Sequence, residues 1–74
     1  MFPSPDLVKE IRAKYPQGSR IRLLSMDDPF VNIPTGTEGT VQHVDDIGSI
    51  HTRWDNGSGL AVVHGIDHAE LVMR

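Results

Sequence analysis

The sequence contains no cysteine, so it has neither a disulfide brace nor a thiolate metal site, and nothing in it fixes a redox compartment. Aromatic residues are scarce. Phe2, Tyr15, Phe30 and Trp54 are the whole set, too few to line the aromatic groove that grips polyproline segments. No apolar run approaches the roughly 20 residues of a membrane span. Residues 1–5 lack the basic and apolar regions of a signal peptide, so the expectation is a soluble cytoplasmic protein with no membrane partner. There is no GxSxG elbow, no P-loop and no cysteine nucleophile, and Ser25, Ser49 and Ser58 have no orienting motif around them. An enzyme is therefore not expected. At 74 residues the chain is one domain, 1–74, burying only about 60% of its unfolded surface. Without staples, so small a domain depends on a compact core or a partner.

What the sequence does have is turn chemistry. Residues 34–60 carry three glycine-marked turns, ending at Gly36 or Gly39, at Asp45-Asp46-Ile47-Gly48 and at Asp55-Asn56-Gly57. Between them lie residues 40–44 and 49–54, short and rich in β-branched or aromatic side chains, the pattern of a small antiparallel β-fold. Asn56-Gly57 suits a type I′ hairpin, in which both central residues take φ > 0. Val41 and Val44 are three apart rather than two, which predicts a bulge near Gln42 or His43. A tight turn over 46–48 sets Val44 opposite Ile50 and His43 opposite His51. Ile50, Thr52 and Trp54 then face one way, His51 and Arg53 the other. Trp54, the largest side chain, is read as core.

Upstream, Ser4 caps a helix over 4–15, with Pro5 at its first position and Asp6 at the positive end of its dipole. Leu7, Val8, Ile11 and Tyr15 share a face, and Pro16 ends the run. So short a helix is marginal alone and must pack on something. Residues 19–26 form a strand with Ile21 and Leu23 inward. Residues 27–37 form a long loop carrying Phe30, Val31 and Ile33, read as a lid over the core in preference to an exposed contact. Residues 60–63 make a fourth strand, 64–68 a single 3₁₀ turn, and 69–73 a fifth strand with Leu71 and Met73 inward. The expected fold is mainly β: a five-stranded SH3-like barrel over 18–73, its last strand beside its first, with one short N-terminal α-helix.

Charge is uneven. The net charge is −3, but residues 1–25 balance at +3 and residues 26–74 at −6. An acidic chain argues against non-specific nucleic-acid binding, which depends on neutralising phosphates. A local basic face built from Lys9, Arg12, Lys14, Arg20, Arg22 and Arg53 stays open as the alternative. The carboxylate pairs Asp27-Asp28 and Asp45-Asp46 adjoin proline or glycine turns, where aspartate bonds its own backbone. His64 and His68 have a metal spacing only on a helix. Gly65 disfavours one, and two ligands fall short of the usual three or four. Neither a metal nor another cofactor is expected.

Five motifs in order complete the reading: Tyr15-Pro16-x-Gly18-x-Arg20-Ile21-x-Leu23, Met26-Asp27-Asp28-Pro29, Pro34-x-Gly36-x-x-Gly39-Thr40-Val41, Val44-Asp45-Asp46-x-Gly48 and Trp54-Asp55-Asn56-Gly57-Ser58. Over residues 15–72 this pattern resembles a small bacterial family of unknown function common in mobile elements and phages, with the leading helix outside the matched part. The resemblance implies an SH3-like barrel and no settled activity. Combined with the acidic surface, it gives the leading expectation: a non-enzymatic module that binds an unidentified protein through Asp27, Asp28, Phe30, Val31, Asp45, Asp46, Asp55 and Asn56. In a mobile-element setting the target would be a nucleic-acid-handling host machine that the module inhibits. The alternative is a nucleic-acid-binding barrel using the basic face.

Overall fold

The computed structural model describes residues 4–27 and 33–73. Helix α1 spans Pro5–Lys14. It is followed by strands β1 (Arg20–Ser25), β2 (Glu38–Val44), β3 (Ile50–Trp54), β4 (Ala61–Val62) and β5 (His68–Leu71). The Ser4 hydroxyl accepts the Leu7 N–H at 3.2 Å, the N-cap expected of that residue. Val8 and Ile11 are buried, with Leu7 and Tyr15 packed against the core. The helix lies on its own sheet, and Arg12 fastens it there by donating to the Val44 carbonyl at 3.1 Å and to Asp46 at 2.8 Å.

The strands form one antiparallel sheet in the order β4-β3-β2-β1-β5. The last strand does return beside the first, with Ile21 opposite Leu71 and Leu23 opposite Ala69. β4 and β5 are the two edges, and among the described residues no ladder joins them, so the sheet is open. Ile21, Leu23, Val41, Val44, Ile50, Trp54 and Val62 form the core on one of its faces together with Ile11 and Ile33. Trp54 is 1% exposed and donates its indole N–H to the Leu60 carbonyl at 2.9 Å. The register breaks between Val41 and His43, and Val44 faces Ile50 while His43 faces His51. The 41/44 spacing had marked that bulge.

Several local expectations are corrected. The turn at Asn56-Gly57 is not type I′, since no residue other than glycine has positive φ among those described. Trp54 and Ser58 instead enclose a three-residue loop. The Gly57 N–H donates to the Trp54 carbonyl at 2.9 Å, and Gly57 alone takes the left-handed conformation at φ 92°. This is a type I turn closed by an αL glycine, the usual three-residue hairpin solution. The β2–β3 turn repeats it, with Gly48 at φ 80°. The fourth strand shrinks to two residues. The fifth begins at His68 and ends at Leu71, leaving Met73 87% exposed rather than inward. Ile33 is buried in the core, whereas Phe30 and Val31, the rest of the expected lid, lie outside the described residues.

Candidate interaction surface

On the outer face of the sheet, alternation places Arg20 and Arg22 of β1 beside Thr40 and Glu38 of β2, with Glu70 of β5 opposite Arg22. Arg20 donates to Asp55 through both terminal nitrogens, to Thr40 at 3.0 Å and, more distantly, to a second carboxylate, Glu38, at 3.5 Å. Arg22 pairs with Glu70 at 2.9 Å and with Glu38 at 4.0 Å. The hydrogen bond to Asp55 works against a smaller desolvation effect, and with the charges of Asp55 and Glu38 it raises the already high pKa of Arg20. Arg12 is committed to Asp46. Three of the six candidate phosphate-binding cations thus have carboxylate partners within the chain. Lys14 sits 5.4 Å from the centroid of the Tyr15 ring, and Lys9 and Arg53 make no ion pair among the described residues.

The acidic candidates are also occupied. Asp45 accepts the N–H groups of Ile47 and Ser49 at 3.1 and 2.9 Å and pairs with His51 at 2.8 Å. Partial burial opposes its ionisation, but the His51 contact and the two backbone donors outweigh this and hold its carboxyl below the ordinary aspartate value. Asn56 accepts the Ser58 N–H at 3.0 Å, and Asp55 holds Arg20. These two turns cap opposite ends of β3, whose five residues span about 17 Å. The structure therefore does not gather Asp45-Asp46 and Asp55-Asn56 into one patch. Asp27 is exposed and lies elsewhere, and Asp28 falls outside the described residues together with Phe30 and Val31.

An apolar surface appears instead at the open β4 edge. Leu60, Val63 and Ile66 are 38%, 38% and 54% exposed. With Met26, Asp27, Ala61 and Asp67 they line a depression of about 370 Å³. A second depression, about 210 Å³, lies where the sheet fails to close. Ile11, Ile50, Val62 and Ala69 give it apolar walls, and Tyr15, His64 and His68 join them. Scattered exposed aliphatics need no explanation, but these three cluster around one concavity.

Asp67 divides the two depressions. It is 8% exposed, and its carboxylate accepts the N–H of Asp27 and the N–H of Val63, each at 2.9 Å. It thereby ties the end of β1 to the turn after β4. Sequence reasoning reads residues 64–68 as a single 3₁₀ turn, where the structure has a turn over 64–66 and strand from His68, and it misses this clasp. The only signal was an aspartate in a turn, and that does not reveal a partner 40 residues away.

The His43 and His51 rings stack at 4.3 Å. Among the described residues no group of three or more histidine or acidic side chains is placed to hold a metal ion, and no helix is long and apolar enough to cross a membrane. A family described as Domain of unknown function (DUF4314) matches residues 4–72. The matched region takes in α1, which the motif resemblance had left outside. No curated protein and no solved structure matches the chain.

Proposed function

We propose that this chain, which belongs to the DUF4314 family, is a non-enzymatic protein-interaction module built as an open SH3-like barrel. The strand order, with β5 beside β1 and the helix laid over the sheet, supports the barrel description. The observation that carries the function is the cluster of Leu60, Val63 and Ile66 around the depression that also reaches Met26 and Asp27. It shifts the contact surface from the acidic turns to the open sheet edge and keeps only Asp27 of the expected acidic set. A mobile-element or phage setting, implied by the motif resemblance, makes a nucleic-acid-handling host machine the target to look for first, with inhibition as the effect.

Nucleic-acid binding is the second assignment. It is weakened by the pairing of Arg12, Arg20 and Arg22 with Asp46, Asp55, Glu38 and Glu70, and rests now on Lys9, Lys14 and Arg53. The test is affinity capture from the native cell with tagged wild-type and Ile66→Glu chains, each with and without nuclease. A protein retained after nuclease and lost with Ile66→Glu supports the module. Recovery of nucleic acid instead, falling steeply with salt, selects the second assignment.

A further inference from the structure

The two depressions lie on opposite faces of one strand. Ala61 and Val63 line the larger, Val62 and His64 the smaller, as strand alternation requires. Among the described residues β4 pairs only with β3, Ile50 opposite Val62 and His51 opposite Ala61, and its other side is an edge of the sheet. In an antiparallel ladder, successive residues turn their N–H and C=O alternately toward and away from the neighbour. One residue of the Ala61–Val62 pair therefore presents both groups to the open edge. On either side the backbone is already committed: the Leu60 carbonyl accepts from Trp54, the Val63 N–H donates to Asp67, and the Val63 carbonyl accepts from Ile66 and Asp67. The edge offers one main-chain docking point with an apolar depression on each side.

We infer that this edge receives an extended segment of a partner protein, bound by strand addition, with two successive apolar side chains seated in the two depressions and a basic residue beside them. The inference rests on the interaction-module assignment and specifies its partner. Strand addition takes affinity from main-chain bonds and specificity from pockets for alternate side chains, and β4 supplies both. Charge selects the neighbour. Asp27 is exposed at the larger depression, and neither depression is lined by lysine or arginine. Asp27 and Asp67 are the acidic residues of their lining. A second copy, also carrying net −3, is the poorer occupant on the same ground.

The test uses the full chain, labelled with ¹⁵N, and a capped hexapeptide with a leucine–valine centre, threonine on each side and lysine at both ends. Amide shifts are followed at residues 60–67. The expected result is saturable shifts there, with binding at least tenfold weaker for the glutamate-ended version. N-methylating one of the two central peptide amides should abolish binding, and methylating the other should leave it within about twofold. Absence of shifts with every peptide, equal binding of lysine- and glutamate-ended forms, or indifference to both methylations overturns the inference. So does a concentration-dependent dimer of the unliganded chain with shifts at 61–63, which makes a second copy the occupant. If Ile66→Glu abolishes capture of a cellular partner while the peptides bind nowhere, the module stands and strand addition falls.

Discussion

Replacing Asp67 is the most direct test of how the open end of the sheet is held. The Asp67→Ala change removes two hydrogen bonds from a buried carboxylate, one to the N–H of Asp27 and one to that of Val63. Bonds to a charged acceptor contribute about 1.5–3 kcal/mol each, so the gross loss is about 3–6 kcal/mol. Both donors belong to exposed residues, so water can replace the lost acceptor, and the net loss should fall near the lower end, about 3 kcal/mol. A domain of this size has about 4–11 kcal/mol in all. The single tryptophan, 1% exposed in the core, provides the signal for urea unfolding. With a slope of about 1 kcal/mol per molar for a small protein, the midpoint should drop by about 3 M at unchanged slope. Asp67→Asn keeps one acceptor oxygen and should lose about half as much. A loss below about 0.5 kcal/mol for Asp67→Ala, or an asparagine variant as stable as the wild type, would refute the clasp.

Gly39→Ala should cost at least about 1–3 kcal/mol by overpacking, because a Cβ there would stand 2.7 Å from Thr52 Cγ2, 2.9 Å from the Arg53 carbonyl oxygen and 2.9 Å from Trp54 Cε3; the same unfolding titration measures it. Asp45, with its pKa depressed in the folded state, contributes stability that is present above the unfolded aspartate pKa and lost as pH falls through the folded value. Unfolding midpoints followed from about pH 6 to pH 2 should therefore fall less steeply for Asp45→Asn than for the wild type. Arg12→Ala should destabilise by about 1 kcal/mol by freeing α1 from the Val44 carbonyl. Asp46→Ala should cost less than about 0.5 kcal/mol, since its side chain is 99% exposed. A larger loss at Asp46 than at Arg12 would show that the ion pair, not the carbonyl bond, docks the helix.

The strands were readable because their determinants are local. Alternation at Ile21/Leu23 and Ile50/Thr52/Trp54, the 41/44 irregularity and the glycines at 48 and 57 each act within a few residues, and the structure shows each of them. The hairpin type was misjudged because Asn-Gly is compatible with two solutions. The longer loop needs only Gly57 at positive φ and leaves Asn56 to accept the Ser58 N–H. β4 is shorter than its apolar run, residues 60–63, implies. Leu60 instead gives its carbonyl to Trp54, and Val63 turns to Asp67, contacts that only the assembled sheet creates.

The charged candidates were misleading for a related reason. Arg20 and Asp55 are 35 residues apart in sequence, Arg22 and Glu70 are 48 apart, and Arg12 and Asp46 are 34 apart. Counting charges along the chain suggested a basic face and an acidic face. The folded chain instead sets them against each other, and three of the six cations, Arg12, Arg20 and Arg22, are paired with carboxylates at short range. Such surface pairs contribute little stability individually, but they remove the charges that long-range recognition would use. Among the described residues the edge where the sheet does not close combines an edge strand, exposed aliphatic side chains and an exposed acid, Asp27. No single stretch of sequence encodes that combination, because it forms only when residues 26–27, 60–63 and 66–69 meet around Asp67. Recognition by this chain should accordingly be more sensitive to Ile66→Glu than to charge reversal at Arg20. Finding the reverse order in capture experiments would return the paired outer face to first place.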